Sequence, residues 1–197
     1  MCGRYQFSLE QPALRELFER ARERFPQADM EVGEIFPTNT VPVLFGAAQG
    51  AVPCPAKWGY PSPKGGGVII NARSETAADK PMFRESLRAY RCAVPASGFF
   101  EWSHDKAKNK YRFRLRDDGA LYFAGLYRSF AGERRFVILT EAANGSMAGI
   151  HDRMPVILRE EQVAPWLADG AQAAVLLRHA PPELRREEQG DVQQSLY

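Results

Sequence analysis

The chain of 197 residues is poor in cysteine, with only Cys2, Cys54 and Cys92. They form no CxxC pair and leave one over, so neither a disulfide framework nor a zinc cluster is indicated. No uninterrupted apolar run approaches the roughly 18 residues of a membrane span. The opening MCGRYQFSLEQ lacks the apolar stretch and cleavage pattern of a secretory signal. These absences predict a cytoplasmic protein without membrane attachment. Repeats, low-complexity tracts and long linkers are also missing, which predicts a single domain. No phosphate-binding Gly-rich loop or HExxH spacing occurs, so no metal or cofactor is expected, and Gly65-Gly66-Gly67 reads as a flexible turn. What is present, 45% hydrophobic and 25% charged residues, excludes a disordered tail or a disulfide mini-protein.

The net charge of +2 conceals an uneven distribution. Residues 57–116 hold 13 Lys/Arg against 5 Asp/Glu, while the segments before and after carry −2 and −4. A basic middle segment points either to an anionic partner such as nucleic acid or to a surface that the acidic flanks balance in three dimensions.

Leu14, Leu17, Phe18, Ala21 and Phe25 recur at helical spacing and predict a helix over residues 12–25, with Ser8 and Pro12 as competing start signals. Further helices are expected over 82–90 and 160–168. Strand-like runs lie at 41–45, 67–70, 91–96, 111–116, 120–127, 135–140 and 154–158. Asp118-Gly119 reads as a hairpin turn between two of them. In YRFRLR, Arg112, Arg114 and Arg116 alternate with apolar residues, so three guanidinium groups share a strand face that meets either solvent or phosphate. The predicted class is α+β, with a mainly antiparallel sheet or partly open β-barrel and peripheral helices. One domain over residues 1–180 is expected, followed by a loosely ordered tail over 181–197.

Cys2 has a property no internal cysteine has. Once Met1 is removed, a free α-amine and a thiol sit on adjacent carbons as a 1,2-aminothiol. The amine, with a reference pKa of about 7.7 to 8.0, attacks an aldehyde to give an imine. The thiol then closes a five-membered thiazolidine, an intramolecular step whose effective molarity reaches roughly 10⁵ M or more. The alternative is a small residue at a terminus. Arg4 lies close enough in sequence to hold a phosphate nearby.

Three later segments place polar residues where a fold does not need them. Asn71 in VIINARSET stands at a strand end and either orients a substrate or closes a turn. Glu101 lies between Phe100 and Trp102, where partial desolvation raises a carboxyl toward the acid-base range, unless it is an exposed residue of an alternating strand. His151 and Arg153 in AGIHDRMPVIL precede another strand, and a lone histidine is either structural or chemical. Trp58, Phe99 and Trp102 offer base stacking or core packing. Cys54 and Cys92 sit in apolar or proline-rich contexts and read as inert.

Taken in order, MCGRY, IFPTN, KWGY, NARSET, SGFFEW and HDRMPV resemble the SOS-response-associated peptidase (SRAP) family, over residues 1–180. The resemblance implies covalent capture of abasic sites in single-stranded DNA during the damage response. Cys2 would form the thiazolidine, with associated lyase and crosslink-reversal chemistry. It further implies that Asn71 orients the terminal residue and the sugar, that Glu101 shuttles protons and that His151 assists ring opening. Arg4, Arg73, Arg84 and Arg153 would meet the DNA through its phosphates, and Pro37, Trp58 and Trp102 would pack against it. A monomer is expected. Two other readings stay open. One is a hydrolase that uses an N-terminal cysteine and removes its own Met1; the other is a noncatalytic single-stranded DNA-binding module.

Overall fold

Proline and glycine set the strand plan. In the computed structural model, which describes residues 3–104 and 107–189, the chain runs β1 (Tyr5–Phe7), α1 (Pro12–Arg24), β2 (Gly33–Ile35), β3 (Thr40–Ala47) and β4 (Gly50–Trp58). It continues through β5 (Tyr60–Pro61), β6 (Val68–Ile69), β7 (Asn71–Arg73), α2 (Ser74–Ala77), α3 (Pro81–Ala89), β8 (Arg91–Ala96), β9 (Gly98–Trp102) and β10 (Lys110–Leu115). Then come β11 (Leu121–Phe130), β12 (Glu133–Ala142), β13 (Arg153–Pro155), β14 (Ile157–Leu158), α4 (Glu160–Ala168), α5 (Gly170–Leu176) and β15 (Leu184–Gln189). Of the two competing start signals, Pro12 opens α1. Its missing N–H is no loss at the first helical position, and Leu14, Leu17 and Ala21 go inward.

The strands form two main sheets. In the larger, β12, β4, β3, β8 and β11 pair in sequence and β11 returns to β12, so the barrel closes. The seam is the short parallel pairing of Arg135 with Lys57 and Phe136 with Trp58. Prolines hid β4 from the strand pattern. They are tolerated because Pro42 and Pro55 stand directly opposite, where neither needs an N–H from the other. The smaller sheet runs β15-β10-β9-β1-β2. Tyr5, Phe7, Ile35, Phe99 and Phe113 line its inner face with no exposed surface and join the barrel's apolar core. No helix among the described residues is long and apolar enough to cross a membrane.

Three expectations need correction. Asp118-Gly119 does not join a hairpin, because β10 pairs with β9 and β15 while β11 pairs with β8, β12 and β14. Asp118, at φ 56°, turns the chain from one sheet to the other. Residues 184–189, expected in a loose tail, form the edge strand β15 with Leu184 buried, whereas residues 190–197 lie outside the described residues. The arginine face of β10 meets that strand: Arg114 pairs with Glu187 at 2.6 Å and Arg116 with Glu183 at 3.3 Å. Part of the basic middle segment is thus balanced by acidic residues from the end of the chain.

Candidate functional site

β1 and β9 bring the start of the chain to Glu101. Tyr5 opposes Phe99, and the Phe100 N–H donates to the Arg4 carbonyl at 2.9 Å, so the pairing runs on past β1 and sets Gly3 across from Glu101. Cys2 lies outside the described residues, one peptide from Gly3. On the other side of β9, Gly98 lets β10 come close: a Cβ there would stand 2.7 Å from the Phe113 carbonyl oxygen. Glu101 is only 5% exposed, and burial raises its carboxyl above the ordinary carboxylate range. The desolvation expected from its aromatic neighbours is present, and the sheet's inner face supplies it.

β12 carries the other half. Asn71 and Arg73 on β7 run parallel to Ile138 and Thr140 of β12, and Arg153 and Pro155 on β13 pair with Ala142 and Thr140. Arg153 grips Glu75 through two nitrogens, at 2.5 and 2.9 Å, and donates to the Thr140 carbonyl at 2.6 Å. Its hydrogen bonds hold the Glu75 carboxyl down at about 2. Next to that pair, burial and the Glu75 charge lift Glu141 to about 7.

His151 joins the halves. Its ring meets His104, three residues beyond Glu101, edge to face at 4.9 Å. The two rings border an open hollow of about 490 Å³ that Gly149, Ile150 and Asp152 complete. His151 Nδ1 accepts the Arg153 N–H at 2.9 Å and also lies 2.9 Å from an Asp152 carboxylate oxygen. One nitrogen cannot accept the first and donate to the second at once. Burial lowers the His151 pKa, which favours the neutral ring, and a neutral ring keeps one of these two contacts.

The remaining predicted contacts divide. Arg73 is exposed and has no ion pair among the described residues. Trp102 is half-buried, with the Arg4 guanidinium 5.1 Å from its ring. Pro37 is half-buried in a turn that Asn39 closes by accepting the Phe36 N–H at 2.7 Å. Arg84 is spent on the carbonyls of Ala78 and Asp79, at 3.1 and 3.3 Å. Trp58 is a correction: it has no exposed surface and cannot pack against DNA. It is a strut, meeting Tyr5 at 5.2 Å and donating from Nε1 to the Ile70 carbonyl at 3.0 Å, so it ties the first strand to the residue before Asn71. Phe99 is core as well. Gly59 follows that strut at φ +110°, where a Cβ would come within 2.8 Å of Val68.

Sequence reasoning missed His104, Glu75, Glu34, Phe36 and Lys110. Only Glu75 and Phe36 left a signal, since they lie inside NARSET and IFPTN. Cys54 and Cys92 are buried, and burial pushes the Cys92 thiol far up, so neither is poised as a nucleophile. Among the described residues no group of three or more His, Cys, Asp or Glu could hold a metal ion.

With this geometry in place, comparison with known proteins is direct. The family model described as SOS response associated peptidase (SRAP) matches residues 1–190. Abasic site processing protein YoaM of Bacillus subtilis is 31% identical over 180 residues, covering 85% of this chain and 79% of the relative. Abasic site processing protein YedK of Escherichia coli is 32% identical over 176 residues, with 85% and 79% covered. A crystal structure from Bacteroides thetaiotaomicron superposes with TM-score 0.75 over 96% of this chain and 93% of that one. At 24% identity it supports the fold alone.

Proposed function

The chain belongs to the SRAP family, and on that footing we propose that it processes abasic sites, capturing their aldehyde form in single-stranded DNA on Cys2. The observation that carries this reading is the buried Glu101 carboxyl set across from Gly3, one peptide from Cys2, where burial raises its pKa.

After loss of Met1, the Cys2 amine attacks the aldehyde carbon of the ring-opened sugar. Glu101, protonated, gives its proton to the departing hydroxyl, so water leaves and an iminium forms. The carboxylate recovers a proton from the iminium nitrogen. The thiol sulfur then adds to the imine carbon while its proton passes to the nitrogen, and the thiazolidine closes. Aldehyde and aminothiol thus give thiazolidine and one water. Run backward, the same groups release the lesion, and the imine also opens a route to strand cleavage.

Neutral His151, which can both give and take a proton at its ring nitrogens, serves sugar ring opening. Asn71, at the strand end that Trp58 braces, orients the sugar. Arg73 takes a phosphate directly, whereas Arg4 and Arg153 would do so only by loosening Glu34 and Glu75. The captured strand is shielded from cleavage while the adduct lasts.

Intact mass spectrometry tests this reading. Incubation with a short single-stranded oligonucleotide carrying one abasic site should add the oligonucleotide mass minus one water to a protein lacking Met1. Cys2→Ala should abolish the adduct altogether. Processed protein that gains no mass would shift the assignment to an N-terminal-cysteine hydrolase or to a simple binding module.

A further inference from the structure

On the outer face of the smaller sheet, Arg4 and Lys110 share one carboxylate oxygen. Oε1 of Glu34 lies 3.2 Å from Arg4 Nη1 and 2.7 Å from Lys110 Nζ. Directly opposed residues share a face, so Gln6 with Glu34, Arg4 with Phe100, and Trp102 with Lys110 point away from the buried Tyr5 and Phe99. Aromatic rings floor the cluster. The Arg4 guanidinium is 4.1 Å from the Phe36 centroid, and Lys110 Nζ is 4.1 Å from Phe100. Phe36 leaves 41% of its surface exposed.

Stability does not account for this arrangement. The three charged side chains keep 27 to 33% of their surface in water, where such pairs contribute little. Two cations beside the exposed Phe36 ring and the half-buried Trp102 match what one nucleotide of a single strand offers, a phosphate for the charges and a base for a ring face. Glu34 occupies the position a phosphate oxygen would take, at charge-assisted hydrogen-bond distance.

We propose that Glu34 is a built-in competitor for a backbone phosphate at an Arg4–Lys110 subsite, and that it determines specificity by weakening the noncovalent hold on undamaged strands. The proposal rests on the single-stranded DNA reading above. Retention on a strand then depends on the covalent step at a lesion, while intact DNA, which must displace Glu34 without that gain, is released.

Fluorescence anisotropy of the full chain with an intact oligothymidylate across a salt series tests it. Glu34→Gln keeps the shape and removes the charge. It should bind roughly five- to tenfold tighter at low salt, with a log–log salt slope steeper by about 0.7 for one additional neutralised phosphate. Lys110→Met in the otherwise unchanged chain should weaken binding and flatten the slope by about the same amount, which keeps the test open if Glu34→Gln misfolds. Unchanged or weaker binding by folded Glu34→Gln, or tighter binding at an unaltered slope, would overturn the proposal. So would a Lys110→Met variant that binds as the unmodified chain does, or an absence of intact-strand binding by both proteins at the lowest salt. None of these readouts uses Cys2, so a chain that forms no adduct with abasic DNA overturns the capture reading alone.

Discussion

Among the described residues, the closed barrel and the smaller sheet each bury one charged side chain to nearly the same depth, Arg91 at 6% exposure and Glu101 at 5%, and burial opposes the charged form of both, yet the two are used differently. Arg91 donates to the carbonyls of Leu87 and Arg88 at the end of α3 and of Trp166 and Leu167 in α4, at 2.6 to 3.4 Å. These are carbonyls a helix end leaves without intrahelical donors, so one cation satisfies two helix ends. Glu101 sits where burial is the leading influence on its titration and raises its pKa. Equal burial therefore does not decide between scaffold and chemistry. What decides is what the buried group can give: a guanidinium held by four backbone carbonyls secures two helix ends, whereas a carboxyl whose pKa is raised has a proton to offer.

The sharpest way to break this comparison is Glu101→Gln. Loss of general acid-base catalysis should slow adduct formation by about 10² to 10⁴, measured as the single-turnover rate on abasic oligonucleotide. Stability should move the other way with pH. Because the folded carboxyl titrates above its ordinary 4.5, Glu101 contributes stability fully below that value and loses it as pH rises through the raised one. Urea melts should then show Glu101→Gln gaining on the unmodified chain as pH climbs above 4.5. Glu101→Gln losing stability relative to the unmodified chain over that range would mean the carboxylate, not the acid, is the form the fold prefers.

Arg91→Met should do the reverse. Four carbonyls lose their donor, and about 3 kcal/mol of stability should go with them, read from urea midpoints. The adduct rate per folded molecule should stay the same. A rate loss on the scale of Glu101→Gln would erase the distinction between the two regions.

These two environments were unequally legible in the sequence. The sequence predicts that Phe100 and Trp102 desolvate Glu101, but those side chains take the other face of β9 and the inner face of the sheet does it, so the expectation holds for a reason two residues could not show. The helical spans of α1, α3 and α4 were local, being set by apolar spacing and, for α1 and α3, by an opening proline. Arg91 gave no signal, since Trp166 is 75 residues away and the need for a donor arises only when two helix ends meet. Trp58 looked available for stacking because nothing in KWGY shows that Tyr5 and Phe136 will enclose it. The arginine face of β10 stayed open between solvent and phosphate because Glu187, 73 residues beyond Arg114, carries no mark of its partner. Motifs whose function resides in one or two residues survive reading in one dimension, and charge balance does not.

A gentler probe of the same contrast is the Glu75–Arg153 pair, which has the geometry of a strong interaction but not the burial. The carboxylate side chain is 48% exposed although the guanidinium is only 13% exposed, so solvent screens the attraction despite the two-pronged contact. Glu75→Gln should cost less than about 1 kcal/mol at neutral pH, shrinking further at high salt. Its sign is opposite to that of Glu101: the pair's contribution is present above 4.5 and is lost as pH falls toward 2. Urea midpoints of the two proteins should therefore converge on acidification, whereas those of Glu101→Gln and the unmodified chain diverge on alkalinisation. A penalty of several kcal/mol would instead mean that Arg153 depends on Glu75 as Arg91 depends on its carbonyls. In that case the arginine beside His151 belongs to the scaffold and is not free to meet a phosphate.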